Sequence, residues 1–179
     1  MRKLKLDELN RPSVEEFSKM KKIPLVVVLD NIRSMQNVGS VFRTSDAFAV
    51  EKIVLCGITA RPPHRDIQRA ALGATESVAW SYDQNIETAL KNLKAEDYQV
   101  IGLEQTSESV LMNAGEFKPD VSTKYALVLG NEVEGISDSA LPQLDLALEI
   151  PQSGTKHSLN VSVAAGVAIW WFYEKLAQC

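Results

Sequence analysis

Cysteine and histidine are scarce: the 179 residues contain only Cys56, Cys179, His64 and His157. Four such residues, scattered singly, make neither a disulfide framework nor zinc-ligand spacing, and free thiols suit a reducing compartment. Neither histidine has the Ser–Asp or Cys partner pattern of a nucleophilic triad. No G-x-G-x-x-G follows the first strand-like run and no G-x-x-x-x-G-K-[ST] occurs, so neither a dinucleotide fingerprint nor a phosphate loop is supported. No N-terminal apolar segment resembles a signal peptide. The longest apolar stretch, "VAAGVAIWWFY" (163–173), has 11 residues, too few to span a bilayer. It reads as a buried helix, and a cytoplasmic protein is expected, with no membrane or metal partner. There is no internal repeat and no low-complexity segment.

What the chain does have is an uneven charge. The net charge is −4, which argues weakly against a nucleic-acid partner. Residues 1–69, however, hold 13 Lys/Arg against 8 Asp/Glu, and residues 70–179 hold 6 against 15. A basic half on an acidic protein is either a phosphate-binding face or a solvated surface of uneven composition.

At this length one domain is expected. Residues 1–22 look like a short extension in which "SVEEFSKM" carries a capping box, Ser13 with Glu16. From residue 23 onward the pattern alternates. Strand-like runs are "IPLVVVLD", "EKIVLCG", "YQVIGLEQ", "YALVLG" and "LALEIP". Helix-like runs are "NVGSVFRTSDAFA", "IQRAALGA", "IETALKNLKAE", "SDSALPQLD" and "SLNVSVAAGVAIWWFYEKL". Several strands are continuously apolar, as in a parallel sheet covered on both faces. The fold class is therefore α/β, with a mostly parallel central sheet flanked by helices.

In such folds ligands sit beyond the carboxyl ends of the strands. The first exit, "NIRSMQNVGSVFRTSDAFAV" (31–50), offers Asn37 as an N-cap and sets Arg43 beside an apolar stripe, where it either faces a ligand or pairs with Asp46. The second is "GLEQTSES" (102–109), which alone reads as a plain loop. The third, "LVLGNEVEGIS" (127–137), offers Gly130 for close approach of a ligand to the main chain, with Asn131 and Glu132 at its mouth. The fourth, "EIPQSGTKHSLNVSVAAGV" (149–167), places Ser158 or Asn160 as the cap of an apolar helix. Four polar loops converging on one sheet edge describe a small-molecule site read mainly by backbone groups. The residues alone do not name the molecule.

"NVGSVFRTSDAFAV", "LVLGNEVEGIS" and "EIPQSGTKHSLNVSVAAGVAIW" resemble, in order and spacing, the three motifs of the SpoU/TrmH family of RNA ribose methyltransferases in the SPOUT superfamily. The resemblance covers about residues 23–176, and "ALGATESVAW" and "IGLEQT" also look like family sequence. It implies a domain over residues 23–179 whose C-terminal segment forms a deep trefoil knot, a feature that composition and periodicity never suggest. It further implies a homodimer, S-adenosyl-L-methionine as methyl donor, and transfer to a ribose 2′-hydroxyl of RNA. Carried over to this chain, Asn37, Arg43, Glu132, Ser158 and Asn160 line the reaction centre, with Arg43 the catalytic arginine. Gln105, Leu129, Gly130, Ile150, Ser158, Leu159 and Asn160 hold the cofactor.

A guanidinium with a pKa above ~12 is a poor base. Arg43 is therefore expected to orient the ribose and its phosphate and to stabilise alkoxide charge, with His157 the rival proton acceptor. RNA docking is expected from Lys21, Lys22, Arg33, Arg43, Arg65, Arg69 and the 61–69 segment generally. The substrate resembles that of the branch acting on a guanosine ribose of tRNA, with ribosomal RNA the competitor. Two other classes remain: a non-catalytic RNA-binding module retaining the fold, and an oxidoreductase, which the missing glycine fingerprint disfavours.

Overall fold

The computed structural model describes residues 1–177, so Cys179 lies outside the described residues. The run "IPLVVVLD" forms strand β1 (Ile23–Asp30), whose alternate side chains enter two different cores. Leu25, Val27 and Leu29 join Phe42 and Phe172 on one face, while Val26 and Val28 join Leu90, Ile136 and Ala140 on the other. A strand covered on both faces has no solvent side, which is why its sequence does not alternate.

The other strands are β2 (Val50–Cys56), β3 (Trp80–Asp83), β4 (Tyr98–Leu103), β5 (Val110–Leu111), β6 (Lys124–Leu129) and β7 (Leu146–Glu149). They form one seven-stranded sheet in the order β3-β2-β1-β6-β4-β7-β5, with every pairing parallel. An all-parallel sheet delivers every exit loop to one edge, so the polar segments after β1, β4, β6 and β7 lie side by side.

The helices are α1 (Val14–Lys19), α2 (Met35–Ala47), α3 (Arg65–Ala71), α4 (Ala74–Ser77), α5 (Ile86–Ala95) and α6 (Val161–Leu176). The capping box at α1 is formed: Ser13 Oγ accepts from the Glu16 N–H, and Glu16 Oε2 accepts from the Ser13 N–H. Helix α2 lies tightly on α3, because a Cβ on Gly39 would stand 2.4 Å from the Ile67 carbonyl oxygen.

Several boundaries differ from expectation. Asn37 is not an N-cap: Ser34 caps α2, its Oγ accepting from the Asn37 N–H at 3.3 Å, which leaves the Asn37 side chain for other partners. The run "IQRAALGA" breaks between α3 and α4, where Leu72 and Gly73 both take positive φ. "SDSALPQLD" forms only a 3-10 turn at Leu141–Gln143, since Pro142 lacks the N–H a longer helix needs. Of the two possible caps of α6, Asn160 is the one, its Oδ1 accepting from the Ser162 N–H at 2.9 Å. Finally, α6 is not buried all round. Ala165, Ala168, Ile169 and Phe172 face the core, but Val163 (52% exposed), Val167 (40%) and Trp170 (51%) form an outward stripe at i, i+4 and i+7. No helix among the described residues is long and apolar enough to cross a membrane.

Candidate active site

The site begins with a polar network under the exits of β1, β2 and β6. Asp30, fully buried at the end of β1, accepts from the Asn31 side-chain amide and from the Ser137 N–H, both at 2.8 Å. Asn31 takes positive φ (55°). Its Oδ1 accepts from the Ile58 N–H at 3.0 Å, and its carbonyl accepts from the Asn131 side-chain amide at 2.8 Å. Asn131 in turn closes its own turn, with Oδ1 accepting from the Val133 and Glu134 N–H groups at 2.8 and 3.2 Å. Three strand ends are thereby tied to the turn that carries Glu132.

The Glu132 carboxylate meets the start of α2. Oε2 accepts from the Arg33 N–H, and Oε1 from the Ser34 N–H and the Asn37 side-chain amide, at 3.0 to 3.1 Å. The Asn160 side-chain amide donates to Asn37 Oδ1 at 3.2 Å. Asn37, Glu132 and Asn160 thus form one chain of contacts linking the first, third and fourth exits. Partial burial of the Glu132 tip pushes its pKa up, but hydrogen bonds from Arg33, Asn37, its own N–H and Ser34 outweigh that and hold it below the usual carboxylate value. It is a fixed anion rather than a proton acceptor poised near neutrality.

Beside this chain lies a cavity of about 370 Å³, within the size of ordinary small-molecule sites. Its lining includes Gln105, Leu129, Gly130, Ile150, Ser158, Leu159 and Asn160, together with Glu132. The charged side chains of the lining are all carboxylates, Glu104, Glu132 and Glu149. Such a donor set, with strand-end backbone groups, fits a cationic ligand.

Glu104, Glu149, Asp30 and Asn31 matter more here than their sequence context suggests. Glu104 braces the Glu132 turn from β4, its Oε2 accepting from the Ile136 N–H at 2.9 Å. Glu149 accepts from the Gln105 side-chain amide at 3.1 Å and from Ser109 Oγ at 2.8 Å. The only sequence signal for either was its place at a strand end, in "GLEQ" and "LEIP". The room at Gly130 also has a different cause from the one expected. A Cβ there would stand 2.1 Å from the Gly135 carbonyl carbon and the Ile136 nitrogen, so it is the protein's own turn that approaches.

Arg43 lies on the exposed face of α2, outside the cavity lining and six residues beyond Asn37, about 9 Å along the helix axis. The alternative of an Arg43–Asp46 pair is not formed: Asp46 accepts from Ser77 Oγ, and Arg43 has no ion pair among the described residues. His157 is exposed and outside the lining. Of the expected docking cations, Lys21, Arg33, Arg65 and Arg69 are exposed. Lys22 is engaged locally, lying over the Phe17 ring and donating to the Phe17 carbonyl, and burial lowers its pKa against the pull of Asp46. Cys56, paired beside Asp30 on the neighbouring strand, is pushed up to about 12 by burial and by the charges of Asp30 and Asp83, so it is no thiolate nucleophile. Among the described residues no three His, Cys, Asp or Glu gather as a metal site.

Comparison with known proteins gives the family. The chain matches the SpoU rRNA Methylase family over residues 24–170 and belongs to it. It is 32% identical over 146 residues to a 23S rRNA (guanosine-2′-O-)-methyltransferase, RlmB, of Neisseria meningitidis, covering 82% of this chain and 56% of that one. It is 35% identical over 158 residues to the mouse tRNA (guanosine(18)-2′-O)-methyltransferase TARBP1, covering 87% of this chain and 10% of that one. The AdoMet-bound rRNA methyltransferase of Sinorhizobium meliloti superposes with a TM-score of 0.79 at 25% identity, over 90% of this chain and 61% of that one. The chain therefore spans a little over half of the bacterial relative's length and a tenth of the mouse protein's.

Proposed function

We propose that this protein transfers a methyl group from S-adenosyl-L-methionine to a ribose 2′-hydroxyl of RNA, with a guanosine ribose of tRNA as the favoured target. One observation carries the reading. The cavity is lined by all seven residues expected to hold the cofactor, and the Asn37–Glu132–Asn160 chain stands at its mouth. The acidic lining fits the donor's positive charge. Tight strand-end turns supply the backbone groups that would hold it.

When bound, the donor supplies an electrophilic methyl group on a positively charged sulfur. In-line transfer is governed by placement, and well-oriented reactants can save about 7–11 kcal/mol of barrier. Asn37, Asn160 and Ser158 would orient the ribose, with Glu132 fixing Asn37 as a permanently charged acceptor. Arg43, exposed on α2, would meet the ribose and its neighbouring phosphate and stabilise the alkoxide charge that develops as the 2′-oxygen passes its proton to that phosphate. Arg33, Arg65, Arg69 and Lys21 would add phosphate contacts, which give affinity without choosing a sequence.

The domain is taken as residues 23–179, with 1–22 an extension and the C-terminal segment threaded as a trefoil knot; membership of the family supports this. A homodimer is supported by the outward stripe of α6. Val163, Val167 and Trp170 are exposed apolar side chains on one face of a helix, a surface of the kind that marks association. The corresponding expectation for location is the cytoplasm.

The test is mass-spectrometric mapping of ribose methylation in total RNA with and without this gene, beside calorimetry with S-adenosylmethionine. One ribose methylation lost from tRNA, and restored by wild type but not by Arg43→Ala, supports the reading. Loss from ribosomal RNA instead would redirect the target. Donor binding with no methylation lost from any RNA would leave only a binding module.

A further inference from the structure

The β2 exit, which the proposed chemistry does not use, is built with unusual rigidity around two exposed side chains. Gly57 takes positive φ, and a Cβ there would stand 2.1 Å from Asn31 Oδ1. Thr59 is buried, its Oγ1 accepting from the Ile32 N–H at 2.9 Å and donating to the Leu29 carbonyl at 3.1 Å. On the loop so held, Ile58 is 68% exposed, although its own N–H is fixed by Asn31. Arg61 is exposed too. Its guanidinium lies 4.3 Å over the Tyr82 ring, and Tyr82 is itself anchored by its hydroxyl donating to the Gly57 carbonyl at 2.9 Å. No carboxylate pairs with Arg61 among the described residues; neighbouring Asp83 accepts from the Asn85 N–H.

A guanidinium backed by an aromatic ring, parked without an anion, offers a flat cationic face and free N–H donors. On the same loop, three residues earlier, Ile58 offers apolar surface that folding does not use. Unpaired RNA bases are read on such planes, stacked on aromatic rings or on arginine. The position also fits. Asn31 holds the Ile58 N–H with its side chain and the Asn131 side chain with its carbonyl. The platform is therefore in rigid register with Glu132. β2 is two strand steps from β6, about 10 Å at roughly 4.8 Å per step.

We propose that Arg61, backed by Tyr82 and flanked by Ile58, is a stacking platform for an unpaired base next to the methylated nucleotide. The inference rests on RNA being the substrate. It adds that the RNA runs across the strand exits from β6 toward β3, with the target flanked by a single-stranded base.

The probe is a fluorescently labelled adenosine oligoribonucleotide, compared by anisotropy with an abasic counterpart at one fixed salt concentration. Wild type should prefer the base-bearing strand. Arg61→Ala and Tyr82→Ala should weaken its binding roughly 5- to 160-fold, the range for one stacked base, with the abasic strand much less affected. Arg61→Lys keeps the charge but not the plane and should lose most of the preference. Tyr82→Phe should keep it. Donor affinity by calorimetry should be unchanged in all four, which shows that the cofactor cavity is intact, and an unchanged Tm in Arg61→Lys and Tyr82→Phe shows that the fold around the loop is kept.

Equal binding of both strands by wild type, or wild-type preference in Arg61→Lys, would overturn the platform. Either result, in an enzyme that still methylates RNA, leaves the proposed function standing. A wild type that takes the methyl donor but binds neither strand and methylates no RNA would overturn both.

Discussion

The strand-exit edge has two halves of opposite construction. Over β1, β2 and β6, Asp30, Asn31, Thr59 and Asn131 tie three strand ends together through side-chain hydrogen bonds, and Glu132 locks onto the start of α2. Between β7 and α6, residues 151–159 are all exposed, and none makes a hydrogen bond among the described residues. The first half is complete before any ligand arrives, so its contribution is placement and should register in turnover. The second half has no such internal bracing, and on the proposed function its contribution should register in affinity.

Glycine substitutions test this difference most severely. A methyl group on Gly130 meets the backbone of Gly135 and Ile136 at 2.1 Å, and backbone cannot step aside as a side chain tip can. Gly130→Ala should cost about 3 kcal/mol, a fall in Tm of roughly 6–12 °C for a chain of this size. Gly154, in the open half, has nothing within 4 Å of the place a methyl group would take, and no positive φ. Gly154→Ala should stay within about 0.5 kcal/mol of wild type by thermal melting. Equal losses in the two would erase the distinction between the halves.

Kinetics sharpen it next. Glu132→Ala frees Asn37 and leaves the Arg33 and Ser34 N–H groups without their acceptor, so on the proposed function the ribose would lose its fixed reference. A fall of about 100-fold in kcat is expected, as for misplacement of about an ångström, with KM for the methyl donor changed far less. Leu159→Ala, in the open half, should do the reverse: KM raised by about tenfold, the worth of one partly buried aliphatic side chain, with kcat nearly kept. Steady-state kinetics with excess RNA separates the two patterns, and a kcat loss in both variants would defeat the assignment.

How far the sequence reveals this edge follows the range of the interactions. The parallel sheet was legible in β1, where Leu25 to Leu29 alternate between two cores, and that double burial is written directly as a continuous apolar run. Strands β3 and β5, with four and two residues, carry too little pattern to be seen. Gly130, Asn131, Glu132, Ser158 and Asn160 were legible as candidates at the strand exits, whereas Gln105, Leu129, Ile150 and Leu159 came from motif resemblance. The network beneath them was invisible. Asp30 reads as the polar end of a strand, yet it accepts from an N–H 107 residues away, and no local rule pairs such positions. Lys22 misleads for the opposite reason. It looks like one of several docking cations, but Phe17, five residues earlier, engages its ammonium through both ring and carbonyl.

The smallest effect expected is a pH dependence, and its sign discriminates between two roles for Glu132. Burial of the carboxylate tip raises its pKa, but the four hydrogen bonds prevail, and the folded value lies below the ordinary 4.5. A depressed folded pKa means the charged form stabilises the fold. That contribution is present in full above about 4.5 and is lost as pH falls through the lower folded value. Glu132→Gln removes the titration. The stability gap between wild type and variant, measured by denaturant unfolding, should therefore be level from neutral pH down to about 4.5 and should shrink on further acidification. A gap that grew on acidification would mean a carboxyl raised by burial and able to give up a proton near its working pH. Glu132 would then belong with the proton-transfer groups rather than with the fixed framework, and the two halves of the edge would no longer divide the labour as described.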